Sequence, residues 1–468
     1  MIYENLFSRA GDRPIYAGLI GTGTYGISLL SQTQLIPRLE IPVVCDRDPE
    51  TAVQACMRAG ISKERITICS SGKKILHAME KGQIAIAENY ELLVDIPLDV
   101  LVECTGDPES GARHAEFAIR HGKHVAMVTK ETDAVIGPIL CKLADQAGVI
   151  YTPVDGDQHG LLIGLVSWAK SIGLDVVCGG KARPYDFVYD QGKRTVSNGV
   201  EDMVISRKDV QALQRIQEQE VRSIYEMRRN LFKQWPQIAE ADLCESVIAA
   251  NATGLLADTP SLHAPIVRTV EIPEVLCPKE EGGILSQKGA IDVITCLRGE
   301  DEAGLGGGVF LVFHCQNDDT WRFVKEKGML SNHKGTSGVI YRPYHLLGIE
   351  TPISILCAGL LNITTGSLNC IPYADLAGVA IKDIKAGTII SDGHGHSHDA
   401  ALLEPIIIPA TPVGGSSPLP YYMAIGNCIK MDVPAGTLLT GAMIEPPSTS
   451  RLWELRREQD RVLINLYR

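Results

Sequence analysis

The sequence predicts an α/β protein: a helix-wrapped parallel sheet first, a mixed α+β region next, and a small β-rich module last. Three observations predict it. An apolar run, Ile15 to Ile20, turns through GTGTYG into a helical pattern, ISLLSQTQLI. LDVLVECTG, followed by a helix and then HVAMV, repeats the strand–helix–strand alternation of a parallel sheet. Near the C-terminus VAIKDIKAGTIISD and NCIKMDVPAGTLLTGA read alike, as short strands around an Ala-Gly-Thr turn.

With 468 residues the chain has room for several domains. Hydrophobic residues make up 45% and charged ones 21%, the balance of an ordinary globular protein. A net charge of −12 excludes a broad phosphate-binding footprint, so no nucleic-acid partner is expected. No apolar run reaches membrane-spanning length, so no membrane association is expected either. Thirteen cysteines without a C-x-x-C pair fit a reducing, cytoplasmic setting.

Each element of the first 150 residues carries a chemical reading. Gly21-Thr22-Gly23-Thr24-Tyr25-Gly26 is G-x-G-x-x-G between a strand and a helix, the context a dinucleotide site requires. Gly21 allows the tight turn, Gly23 lets a pyrophosphate reach the backbone, and Gly26 lets the helix pack on the strand. The second strand, EIPVVCDRD, ends at Asp46, where a carboxylate can accept ribose hydroxyls as in NAD sites. Arg47 follows it and could hold the 2′-phosphate of NADP. Thr105-Gly106 and Thr129-Lys130 fall at later strand ends, where a nicotinamide would sit. The expected architecture is therefore an N-terminal Rossmann parallel sheet binding NAD or NADP.

From Tyr151 the pattern changes. Asp155, Asp157 and Gln158 form a polar loop, with Asp155 and Gln158 as candidate substrate contacts, before a helix expected over Leu161 to Ile172. A strand over Asp175 to Cys178 leads to a Gly-Gly-Lys turn ending at Lys181. Asp157 is either a helix cap or part of a polar pocket with Asp155 and Lys181. Ser206 to Gln234 reads as a solvated, partly amphipathic helix, with a subunit contact as the alternative reading. Two β-rich stretches are expected next, Gly289 to Cys315 and Thr320 to His333. Gly306 to Gly308 lack a following helix and are not a phosphate loop. Arg342 and His345 in YRPYHLLGIETP are candidate substrate contacts, Arg342 through a bidentate bond to an anion.

The glycine turn, VECTGDPESGARHAEFAIRHGKHVAMVTKE, VDGDQHGLLIGLVSWAKSIGLDVVCGGK and YRPYHLLGIETPIS resemble the homoserine-dehydrogenase-like oxidoreductases with a C-terminal SAF domain. That group includes the 1-deoxy-D-xylulose 5-phosphate reductoisomerase-like enzymes, and the resemblance covers nearly the whole chain. It implies a lysine after the nicotinamide strand, matched by Lys130. It also implies a second lysine with an aspartate, for which Lys181 and Asp157 are the nearest equivalents. All three are candidate catalytic residues. VTKETD and GGKARPYDF depart from the reductoisomerase wording, so that role is the runner-up.

The expected division is residues 1–150 for the NAD(P)-binding domain, 151–350 for a substrate and dimerisation domain, and 351–468 for an SAF-like β-clip module. The expected function is hydride transfer between NAD(P) and a small hydroxy or keto compound: a phosphorylated sugar, polyol or sugar acid. A non-catalytic nucleotide-binding regulator is the other alternative, and a homodimer the expected assembly. A divalent metal could assist but none is expected. DGHGHSHD, with His394, His396 and His398, is not expected to hold an ion, since Gly393 and Gly395 make it a loop without a common face.

Overall fold

The computed structural model describes residues 2–217, 220–391 and 400–466; the DGHGHSHD stretch lies outside them. After a short helix, α1 (Ile2–Ser8), the chain enters a parallel sheet. Among the described residues this sheet has seven strands: β1 (Ile15–Ile20), β2 (Leu39–Cys45), β3 (Ile66–Cys69), β4 (Ile84–Ala87), β5 (Val100–Glu103), β6 (His124–Met127) and β7 (Tyr151–Pro153). Their order is β3-β4-β2-β1-β5-β6-β7. The chain leaves β1 towards β2 and returns to its other side as β5, which opens a crevice beyond the carboxyl ends of β1 and β5.

Local chemistry starts the connecting helices α2 (Thr24–Thr33), α3 (Pro49–Arg58), α4 (Gly72–Glu80), α5 (Pro108–Arg120) and α6 (Lys130–Ala147). Two of them begin with Asp-Pro: Asp48 and Asp107 accept first-turn N–H bonds, and each following proline sits where no donor is needed. The strand interiors are apolar on both faces, as helices on both sides demand.

The second sheet is mixed. It comprises β8 (Asp175–Ala182), β9 (Phe187–Asp190), β10 (Thr195–Ser197), β11 (Asp202–Val204), β12 (Leu256–Ala257), β13 (Ile266–Val267), β14 (Ala290–Gly299), β15 (Val309–His314) and β16 (Gly338–Arg342). Helices α7 (Gln158–Ser171) and α9 (Glu240–Thr253) pack together on it, and α9 also touches α6 of the first region. Shorter helices are α8 (Val221–Leu231), α10 (Ile272–Val275), α11 (Asp318–Glu326), α12 (Thr351–Leu356), α13 (Tyr421–Ala424) and α14 (Arg451–Val462).

Three expectations are corrected here. The Gly-Gly-Lys stretch is not a turn: β8 runs on to Ala182, between β14 and β15. A Cβ on Gly180 would lie 2.2 Å from the Asp292 carbonyl and 2.5 Å from Phe310, so close strand packing requires the glycine. Residues 206–234 are no single solvated helix but a short 3-10 turn (Asp209–Leu213) and α8. Arg228 on α8 is fully buried, bonding Glu271 and three main-chain carbonyls. Thr320 to His333 begins as helix rather than strand, because Asn317 caps α11 by accepting the Thr320 N–H.

The C-terminal region pairs β17 (Ala374–Ala380) with β18 (Leu403–Pro409). Its two alike segments fold against each other. Ile384 and Val433 exchange both main-chain bonds. Asp432 accepts the Ala386 N–H, and Asp383 reciprocally accepts the Ala435 N–H. The chain then returns to the first region: α14 packs on α5 and α6, and α12 packs under the first sheet through Ile355 and Leu356.

Candidate functional site

The GTGTYG turn has the geometry of a phosphate cradle. Gly21 has φ +97, and a Cβ there would meet the Cys104 carbonyl at 2.6 Å. A Cβ on Gly26 would lie 2.6 Å from the Gly21 carbonyl, while the space beside Gly23 is open at the start of α2. These residues fit a dinucleotide: a tight turn, an unobstructed glycine and free helix N–H groups. Thr24 opens α2. Asp46 accepts bonds from the Thr22 N–H (3.1 Å) and hydroxyl (2.5 Å), while Arg47 is exposed and unpaired among the described residues. Thr105 donates its hydroxyl to Glu103, and the Gly106 N–H donates to the Thr129 hydroxyl, which ties the ends of β5 and β6 together.

Tyr25 is turned inward. Its hydroxyl lies 2.5 Å from that of Thr351, which donates to the Asp155 carbonyl. Burial, helped by the nearby Asp157 carboxylate, raises its phenol well above the usual range. The turn that would hold a dinucleotide is thus latched to the segment that closes the catalytic region.

At the start of α6, Lys130 donates to Glu245 Oε1 at 2.8 Å. From β8, Lys181 donates to Glu245 Oε2 at 2.5 Å and lies 3.1 Å from Asp242. Arg183 flanks Asp242 at 3.2 Å. Burial pulls both lysines towards the neutral form, but the acids outweigh it. Glu245 and Asp157 carry Lys130 well above the usual range, and Glu245 and Asp242 raise Lys181. Burial opposes ionisation of Glu245 too, yet the two lysines hold its carboxyl far below the ordinary value. Both lysines are thereby held as ammonium groups.

The other sequence candidates divide. Asp157 caps α7 by accepting the Gln158 N–H and stands 3.9 Å from His159; Glu245 and Asp242, rather than Asp157, hold Lys181. Gln158 was expected to face substrate, but both amide hydrogens bind the carbonyls of Ala182 and Gly308, a structural role. Asp155 is raised to about 6 by burial and by Glu350, with Arg342 opposing. Arg342 is half-exposed and held by Glu350 at 2.5 Å rather than standing free. His345 Nδ1 donates to the Gly307 carbonyl.

Glu245, Asp242 and His159 are the residues that sequence reading missed. The signal was an acid pair three residues apart, Asp242 and Glu245, in the otherwise largely apolar stretch ADLCESVIAA. Asp157, His159 and Glu245 place ligand-type atoms within 4.8 Å of one another. Both Glu245 oxygens, however, already face ammonium groups, so a divalent ion there would meet two positive charges. The lysines occupy the cation positions of this cluster.

Comparison with known proteins agrees with this geometry. The NAD-binding domain of homoserine dehydrogenase matches residues 17–153, and the catalytic domain of oxidoreductase DRL matches residues 156–351. No curated protein matches the chain. Among solved structures, GenD2 from gentamicin A biosynthesis, in complex with NAD, is 16% identical over 37% of this chain and 45% of its own, with a TM-score of 0.26. The WlbA dehydrogenase from Bordetella pertussis, in complex with NADH and UDP-GlcNAcA, is 20% identical over 37% and 48%, at 0.26. KijD10, a 3-ketoreductase from Actinomadura kijaniata in complex with NADP, is 16% identical over 38% and 50%, at 0.25. The chain spans about half the length of these structures. The chain therefore carries an NAD-binding domain of the homoserine dehydrogenase type followed by a catalytic domain of the oxidoreductase DRL type.

Proposed function

We propose that the protein transfers hydride between a nicotinamide cofactor and the carbon of a small hydroxy or keto compound: a phosphorylated sugar, a polyol or a sugar acid. One observation carries this reading. Lys130, from the nucleotide-binding region, and Lys181, from the catalytic region, share the two oxygens of one buried carboxylate, Glu245. Two ammonium groups converge where the β6 end meets the catalytic sheet.

The bound cofactor supplies the redox step as a hydride donor or acceptor. The chain's own residues handle charge. A carbonyl that accepts hydride develops negative charge on oxygen, and an ammonium group within hydrogen-bond reach stabilises it. Lys130, with 23% of its side chain exposed, is open to an incoming ligand; Lys181, at 6%, is the inner donor. As a charged acid, Lys181 can pass its Nζ proton to the new alkoxide and be held in place by Asp242 and Glu245. Gly21, Gly23 and Gly26 would cradle the pyrophosphate, and Asp46 or Arg47 would meet the adenosine ribose.

A screen of small hydroxy and keto acids and sugar phosphates, followed by nicotinamide absorbance, tests the reading. Lys181→Met is expected to lower kcat by about 10²- to 10⁴-fold while nucleotide affinity holds. Turnover within about twofold of wild type, far outside that range, would remove Lys181 from the mechanism.

A further inference from the structure

Behind the lysine pair lies a buried imidazole that hydride transfer, as described, leaves unused. His159, in the first turn of α7, is 1% exposed, and among the described residues neither ring nitrogen has a hydrogen-bond partner. Buried polar groups are rarely left that way without a role. Nδ1 is 3.9 Å from Asp157 Oδ1, and the Glu245 carboxylate lies within 4.8 Å of the same group. A second orphan is nearby: Asp133 Oδ2 is buried without a partner, while its Oδ1 accepts the Tyr151 hydroxyl at 2.8 Å. Burial raises the Asp133 carboxyl, and His159 and Tyr151 draw it back. The titratable groups facing His159 are Asp133 from α6, Asp157 at the cap of its own helix and Glu245 from α9; behind them Tyr151 bonds Asp133, and Lys130 and Lys181 bond Glu245.

Imidazole is the side chain that changes charge near neutral pH. Here the ring stands between the carboxylates of Asp157 and Glu245, and among the described residues no hydrogen bond fixes either nitrogen. We propose that His159, backed by Asp133, stores the proton that accompanies hydride transfer, holding it while the nicotinamide ring is neutral and releasing it when the ring becomes a cation.

The inference rests on the hydride-transfer reading, and its balance is simple. In the reducing direction the carbonyl carbon gains a hydride and its oxygen gains the Lys181 proton. His159 gives one proton to Glu245, which passes it to neutral Lys181. Solvent restores His159 through Asp157, whose side chain is 11% exposed. No bond other than N–H and O–H changes in the protein, and the only oxidation is that of the cofactor. A cationic ring bound near the ends of β5 and β6 would disfavour a third positive charge beside the two ammonium groups, which would drive the release.

Calorimetry of the full-length protein with NAD⁺ and NADH, each in two buffers of different ionisation enthalpy, counts the protons exchanged on binding. The two nucleotides share the same phosphates and differ in ring charge, and the NADP⁺ and NADPH pair provides a parallel measurement. The oxidised form should release more protons than the reduced form in the wild type. That difference should vanish in His159→Gln and move to lower pH in Asp133→Asn, which removes the acid supporting the charged imidazole. Equal proton release by both nucleotides in the wild type overturns the proposal, as does a difference that survives in His159→Gln. If His159→Gln binds neither nucleotide, the Asp133→Asn shift decides: a downward move supports the store and an unmoved profile overturns it. A wild type that binds no nucleotide at all overturns the cofactor reading, and the store with it.

Discussion

At the scale of residues, Glu245 decides the character of the site. Its carboxyl is held far below the ordinary range by two lysines, and both lysines are held above theirs. A depressed acid stabilises the fold above its unfolded value, about 4.3, and that contribution is lost as pH falls. A raised lysine stabilises it below about 10.4 and loses that contribution as pH climbs. Glu245→Gln leaves two buried cations short of a counter-charge and is expected to cost about 3–5 kcal/mol near pH 7. Chemical denaturation across pH checks it: wild type and variant should converge in acid. Asp155 runs the other way. Its carboxyl is raised to about 6, so ionising it opposes folding above that pH, and the opposition is absent below the unfolded value of about 3.9. Asp155→Asn should therefore raise Tm at pH 8 and leave it unchanged near pH 4. Lys130 and Asp157 could be singled out because each opens a helix after a strand end, and Lys181 from an expected turn that is strand in the structure. Glu245 and His159 were not, because burial and the meeting of α6, α7, β8 and α9 give them their role.

At the scale of elements, periodicity and capping located most of the chain, and glycine misled. The strand–GTGTYG–helix unit and the apolar runs state their geometry locally, so β1, β2, β5 and β6 with α2 and α5 follow from the sequence, while the short β3, β4 and β7 carry no such signal. Gly179-Gly180 reads as a turn because nothing local reveals that Asp292 and Phe310 press against it. Gly180→Ala must push back a strand carbonyl that would lie 2.2 Å from the new Cβ. Overpacking of this kind costs about 1–3 kcal/mol, and here it also displaces Lys181 next along the strand. Urea unfolding should show the loss of stability and a substrate screen the loss of turnover. An unshifted midpoint would mean that β8 and β14 yield more easily than their pairing indicates. α11 misled in the opposite sense: Thr-Trp-Arg-Phe-Val has strand-like residues, but Asn317 starts a helix before them.

At the scale of the whole molecule, the chain is tied together by groups distant in sequence, which no local pattern announces. Arg456 on α14 is fully buried and bonds Asp375 of β17 through two nitrogens, at 2.6 and 2.7 Å. Glu109 at the start of α5 accepts the Arg451 and Leu452 N–H groups that open α14. Asp375→Ala would strip a buried guanidinium of one of its two carboxylates, leaving Asp460 at 3.0 Å, and is expected to cost about 3 kcal/mol. Because α14 packs on α5 and α6, Lys130 at the head of α6 should feel the loss, and nucleotide affinity should weaken with stability. The same view bears on the choice between plain hydride transfer and a rearrangement followed by reduction. A skeletal rearrangement needs a divalent ion to chelate adjacent substrate oxygens. Here the buried acid nearest His159 and Asp157 already carries two ammonium groups, and Arg342, the candidate for a phosphate group, is held by Glu350. Expressed in a strain that lacks its own 1-deoxy-D-xylulose 5-phosphate reductoisomerase, the soluble protein is therefore expected not to restore growth. Growth that depends on Lys181 and responds to added Mn²⁺ would show instead that a metal displaces Lys130 from Glu245 in the working enzyme.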